Sequence, residues 1–416
     1  MENIKIIFIL HNIYESTNGV SNKYIKFINY LLTLSSYNII LITTFKKREV
    51  YEKMYNKISP KFNIIKTHGL SVPNYKEIKI PIIKESLLLE HIKDGNEIIV
   101  FNGEFIWIYD ILKNIKNRYK KIKLYPTMHT DYVFYYEKIY TKFNFNLLSI
   151  LNYLDNNLEN KIFNGIIVTG EKMKEKYKKL TDNVFNANEV NLDIFNNVKK
   201  DTYNSSIYNI IYCGRIAKEK NIEELLECCN KLTVKYILHI IGDGPYMDNL
   251  KDIIHIKYKK MELDTIFYGN KDAEDINNIY QLLTNRIFIF TSISETFGKT
   301  PMEAGATGMP IFIKKSDITE YLYINKKNAF IFDDSNSFID LFNYFIKLSE
   351  FEKQIFISES VNNIKKYDQN KIFEEYANFI IDHQLIKNKV KLNIFDVLTF
   401  NGISQFINCT GNILGD

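Results

Sequence analysis

Two carboxylates eight residues apart, Glu295 and Glu303, lie in the run SETFGKTPMEAGATGMP, with Phe297-Gly298 between them and Gly308-Met309-Pro310 behind. A glycine turn leading into a helix that begins near Thr300 presents unpaired backbone N–H groups and the positive end of the helix dipole, which suits a phosphate. Two cations stand upstream in CGRIAKEKN: Arg215 directly after Gly214, and Lys220 at the start of the helical NIEELLECCNKL. Close backbone approach at Gly298 combined with two cations suits a diphosphate. Taken singly the same residues are ordinary. Glu303 would be a first-turn helix glutamate favoured by the dipole, and Arg215 a surface residue.

Their meaning therefore depends on the elements that carry them. Apolar runs rich in Ile, Val and Phe occur at 4–11, 38–45, 97–103, 121–130 and 164–170, alternating with helical stretches. They are nearly continuous rather than alternating, as strands buried on both faces should be. After a polar, Asn-rich stretch at 190–206 the pattern starts again, with strand-like runs at 208–214, 235–245, 265–270, 286–292, 310–315 and 329–333. The expectation is an α/β protein of two doubly wound, Rossmann-like domains, 1–195 and 205–368, followed by a crossover helix and tail over 369–416. Ligands of such sheets bind beyond the carboxyl ends of the strands, which makes the cleft between the domains the expected site. Four consecutive loops should line its rim: Gly214-Arg215, the IGDGP turn with Gly242 and Gly244, the GNKD turn with Asn270, and SISETFGK.

Composition limits the function classes. The chain has 416 residues, 46% hydrophobic and 25% charged, which is globular and long enough for two cores. No apolar run is long enough to span a bilayer, and MENIKIIFILHNIYES reads as a buried strand rather than an export signal. Cys213, Cys228, Cys229 and Cys409 lack metal spacing, and a reducing cytoplasm is the simplest home for them. Residues 1–200 carry 30 Lys and Arg against 20 Asp and Glu, a balance of +10, whereas the remainder stands at −5. The basic half is expected to meet phosphates or an anionic bilayer surface, or else reflects only lysine-rich coding. No basic-aromatic platform accompanies it, so nucleic acid is not expected as a partner.

The ordered set GRIAKEKNIEELL, IIGDGPYMDNL, FYGN, IYQLL and FIFTSISETFGKTPMEAGATGMPIF, over residues 208–335, resembles the retaining nucleotide-sugar glycosyltransferases of family four, with the GT-B fold. GVSNKYIKFINYLL (19–32) looks like that family's glycine loop and first helix, and YPTMHTDYVFYYEKIY (125–140) like its His-Thr segment. The resemblance implies a catalytic group of His129, Arg215, Lys220 and Glu295. Glu295 would lie near the donor sugar, Arg215 and Lys220 at the leaving diphosphate, and His129 at the reacting sugar. It implies donor contacts at Gly19, Val20, Gly214, Gly242, Gly244, Asn270, Phe297, Gly298, Lys299 and Thr300, with Glu303 accepting hydrogen bonds from the ribose hydroxyls. A nucleoside-diphosphate sugar is then the co-substrate. No metal or other cofactor is expected, since no acidic pair with metal spacing lies near the rim. The acceptor would be a membrane glycolipid, a glycan or a glycoprotein, with the protein cytoplasmic and peripheral on the membrane.

Two departures from the family pattern stand out. Asn221 occupies a position that is usually glycine, and Arg286 one that is commonly acidic. A dinucleotide dehydrogenase is set aside because HNIYESTNGVSN, after the first strand, has one glycine where pyrophosphate binding needs three. A non-catalytic partner subunit should have lost one of Arg215, Lys220, Glu295 or Glu303, and all four are present. A nucleotide-sugar epimerase would need no acceptor.

Overall fold

The computed structural model describes residues 4–11, 19–34, 37–44, 61–72, 75–103, 108–129, 162–203, 206–261, 263–293 and 295–382. The chain forms two compact units. The first comprises Met1–Thr169, Met173–Ala187 and Phe373–Asp416, and the second Gly170–Lys172 and Asn188–Ile372.

In the first unit the strands are β1 (Ile4–Ile9), β2 (Tyr37–Thr43), β3 (Phe62–Lys66), a separate antiparallel hairpin of β4 (Gly69–Val72) and β5 (Tyr75–Pro81), β6 (Ile98–Asn102), β7 (Lys123–Met128), β8 (Ile166–Val168) and β9 (Val184–Asn186). Seven of them make a parallel sheet in the order β3-β2-β1-β6-β7-β8-β9, with Ile6 opposite Ile39 and Ile7 opposite Ile99. Successive side chains of a strand point to opposite faces. Ile7, Ile9, Ile99 and Phe101 accordingly pack against Ile108, Leu112 and Ile115 of one helix layer. Ile6, Phe8 and Val100 pack on the other face against Tyr24, Phe27 and Leu31 of helix α1 (Gly19–Thr33). The C-terminal helix, Gln369–Asp382, completes this second layer, where the Tyr376 ring stacks on Phe27 at 4.0 Å.

The second unit contains β10 (Ile207–Cys213), β11 (Lys235–Ile241), β12 (Thr265–Gly269), β13 (Arg286–Phe290), β14 (Ile311–Lys314) and β15 (Phe330–Phe332), all parallel, in the order β12-β11-β10-β13-β14-β15. That order reverses direction between β10 and β13, so the connections after these two strands run to opposite sides and open a crevice at their carboxyl ends. One face buries Ile210, Tyr212, Leu238 and Ile289 against Leu225 and Leu226 of helix α2 (Ile222–Asn230). The other buries Ile211, Ile241 and Phe288 with Met302 and Ala306 of helix α3 (Lys299–Ala306).

Both departures noted in the sequence have a structural reason. Asn221 sits at φ 52° and ψ 43°, the left-handed region that favours glycine and that asparagine tolerates best among the rest. Arg286, fully buried at the start of β13, forms an ion pair with Asp201 at 2.7 Å, and its guanidinium also donates to the carbonyls of Tyr280, Lys199 and Thr307.

Candidate active site

The site of the second unit is built on the loops that follow β10, β11, β12 and β13. Backbone hydrogen bonds tie the first three together: Gly214 N–H donates to Ile241 C=O, and Gly242 N–H to Gly269 C=O at 2.8 Å. Gly242 has φ +132°, and a Cβ there would lie 2.0 Å from the Gly214 carbonyl oxygen, so no other residue lets these turns lie side by side. Gly244 lies against the backbone of Ile216, and Asn270 is exposed on the turn after β12.

Gly214 leads into Arg215, whose side chain is exposed at the rim. The turn is held from beneath by Tyr212, whose hydroxyl donates to the Arg215 carbonyl at 3.0 Å. Burial, with Glu295, Cys213 and Glu219 nearby, holds the Tyr212 phenol well above its ordinary value, so it remains a donor. Lys220 closes a short 3-10 turn, and its ammonium donates to Glu295 Oε1 at 2.5 Å, with both side chains less than one-fifth exposed. An ammonium has three N–H donors, and this pair engages one of them. The Thr291 hydroxyl, beyond the end of β13, donates to the Lys220 carbonyl at 3.0 Å and joins the two loops. The two carboxyl-end loops flanking the crevice thus supply Arg215, Lys220 and Glu295.

Gly298, at φ +71°, caps helix α3, and a Cβ there would lie 2.7 Å from Ile318 Cδ1. The Phe297 ring turns inward and meets Tyr367 edge-on at 5.1 Å, so Phe297 has only its backbone to offer a ligand. Thr300 is half-buried in the first turn, and Glu303 is buried one turn farther on. The Lys299 ammonium donates to Glu189 Oε1 at 2.7 Å. Glu189 lies in the polar run NANEVN, and no feature of that run singles it out beforehand.

The N-terminal members of the expected set lie in the first unit. Gly19 and Val20 open helix α1, and His129 follows β7 at the carboxyl end of its sheet. His129 is buried edge-on to the Tyr24 ring at 5.4 Å. Burial first, then Lys23 and His11, holds its imidazole well below the ordinary value, which keeps it neutral near pH 7. The tyrosine-rich stretch 131–140 and residues 387–416 lie outside the described residues. Among the described residues no three His, Cys, Asp or Glu side chains converge as a metal site requires, and no helix is long and apolar enough to cross a membrane.

Residues 193–367 match the family described as "Glycosyl transferases group 1". The matched segment is less than half of the chain and lies wholly in the second unit. The match covers all six strands of the second sheet together with the Arg215, Lys220, Glu295 and Glu303 loops. The chain is similar to the alpha-monoglucosyldiacylglycerol synthase of Acholeplasma laidlawii, 29% identical over 54% of this chain and 60% of the relative, so it spans about three-fifths of that protein's length. Among solved structures it resembles sucrose-phosphate synthase from Thermosynechococcus elongatus, at a TM-score of 0.68 and 15% identity, with 90% of this chain and 98% of that one covered. It also resembles Anabaena HepE in complex with UDP, again at a TM-score of 0.68, with 12% identity and 90% and 99% coverage. At these identities the likeness establishes the fold, GT-B, with two parallel-sheet α/β units.

Proposed function

We propose that the protein is a retaining, metal-independent glycosyltransferase that moves a hexose-type sugar from a nucleoside diphosphate to an acceptor hydroxyl. The observation that carries this reading is the convergence of Arg215, Lys220, Glu295 and the N-terminus of helix α3 at the crevice of the second sheet. Cations and backbone donors placed there act on the diphosphate as it leaves. Charge grows on the departing oxygen in the transition state, and preorganised donors stabilise that state more than the bound donor. Glu295 holds the Lys220 ammonium in place with a hydrogen bond at 2.5 Å, at the end of the site assigned to the phosphate. Attack on the same face as the leaving group, assisted by the departing phosphate, retains configuration and requires no enzyme base. His129, neutral and buried, is assigned to a hydroxyl of the transferred sugar.

A panel of nucleoside diphosphates and their sugars, screened by thermal shift, identifies the donor, and UDP compounds come first because HepE structures contain UDP. With the tightest of them, Glu303→Gln should weaken binding by about 1.5 to 3 kcal/mol, the value of a hydrogen bond to a charged group. Calorimetry showing unchanged affinity would return Glu303 to the role of an ordinary helix carboxylate.

For the acceptor we favour a membrane glycolipid, since one relative is by its name a monoglucosyldiacylglycerol synthase and the first 200 residues carry a +10 balance. Lysines near an anionic surface contribute roughly 1 kcal/mol each, so attachment would be peripheral and sensitive to salt. Full-length protein should co-sediment with vesicles increasingly as their anionic lipid content rises, and be released as salt is raised. If nothing sediments at low salt with strongly anionic vesicles, a soluble glycan or a protein becomes the better acceptor.

A further inference from the structure

Lysine is an unfavourable choice for the first residue of a helix, because its charge meets the positive end of the dipole. Lys299 nevertheless opens helix α3, and it lies four residues before Glu303, which puts the two on one face of the helix. Glu189, 110 positions earlier in the chain, reaches in to pair with the Lys299 ammonium at 2.7 Å. Glu189 and Glu303 are both more than nine-tenths buried. Two buried carboxylates sharing one neighbourhood would repel and pay for desolvation unless a cation stood between them.

We propose that Glu189, acting through Lys299, is a positioning residue for Glu303, an inference that rests on the reading of helix α3 as the donor site. Burial disfavours the Lys299 charge, yet Glu189 and then Glu303 raise its ammonium above the ordinary value, so it stays charged, bonded to Glu189 and attracted by Glu303. Among the described residues Cys213 on β10 and Tyr280 on the neighbouring helix, both buried, also feel Glu303, and both are raised first by burial. Lys299, one helical turn before Glu303 on the same face, is thus a cation placed to order this carboxylate. Two carboxylates and one ammonium leave a single negative charge, which suits a ligand offering hydroxyl donors rather than another anion. Glu189 Oε2 is itself buried without a hydrogen-bond partner among the described residues, an acceptor left over on the same side chain. The phosphates are accordingly assigned to Arg215, Lys220 and the backbone of the turn, and the Lys299 side chain to the ribose end.

The test uses the nucleoside diphosphate that binds the full chain most tightly, together with its 2′-deoxy counterpart. Wild type should prefer the ribose form about tenfold. Glu189→Gln and Lys299→Met should each reduce that preference to about twofold or less, and Lys299→Arg should restore it. A variant that melts early is replaced by the double substitution Glu189→Gln with Lys299→Met, which removes the pair without leaving a lone charge. A preference that stays tenfold in folded variants overturns the positioning role and leaves the donor site intact. A wild type that binds no nucleotide, or binds both forms equally, overturns the ribose reading of Glu303 and this inference with it.

Discussion

Replacing Lys220 with alanine should lower kcat by about 10²- to 10³-fold, the usual cost of removing one preorganised donor from a developing anion. The melting temperature should change little, because the ammonium lies at the rim of the site and its pair with Glu295 is not part of either core. The same alanine should affect KM less than kcat, since the lost interaction strengthens as the phosphate departs. Turnover by wild type should meanwhile survive exhaustive chelation. Activity that disappears in chelator and returns with magnesium or manganese would show that a metal carries the charge assigned here to Arg215 and Lys220. A Lys220→Ala variant with normal kcat would remove Lys220 from the leaving-group site.

The largest effect on stability is expected at Arg286. Its ion pair with Asp201 is completely buried, and the same guanidinium serves three carbonyls, so Arg286→Met leaves the Asp201 carboxylate buried without its cation, with the Asn285 N–H still donating to it, and takes one donor from each carbonyl. Breaking a buried pair from one side costs about 3 to 5 kcal/mol, which for a unit of this size lowers Tm by roughly 10 °C. Asp201→Asn should cost less, because the amide keeps an acceptor for the guanidinium. Replacing both partners with apolar residues should recover part of the loss. A Tm within 2 or 3 °C of wild type in Arg286→Met would show that the carbonyls it serves find other donors, and that the pair contributes little.

Much of this architecture is legible in the amino-acid order. Each of the eleven apolar runs contains a strand, from Ile4–Ile9 to Phe330–Phe332, because a strand covered on both faces needs an almost unbroken series of large apolar residues. Four strands of the first unit escaped that criterion. β3 is the edge of its sheet and half-exposed along most of its length, β9 is three residues long at the opposite edge, and β4 and β5 form a separate hairpin. None of them carries a continuous apolar signature. The rim of the candidate site was legible for a similar reason: Gly214, Gly242 and Gly298 adopt positive φ at strand ends or a helix start, and such positions announce themselves by residue type.

Local pattern thus suffices for strands, helix starts and the turns between them, since each depends on neighbours a few residues away. Pairing does not. The partners Lys220 and Glu295, Lys299 and Glu189, and Arg286 and Asp201 lie 75, 110 and 85 positions apart. Nothing in a lysine's immediate sequence says which of many glutamates will reach it. The fold decides, by removing water from a particular pair of charges until each needs the other. Asn221 shows the same division from the opposite side: its residue type permits the left-handed turn, but only the path of the chain from β10 into helix α2 requires it.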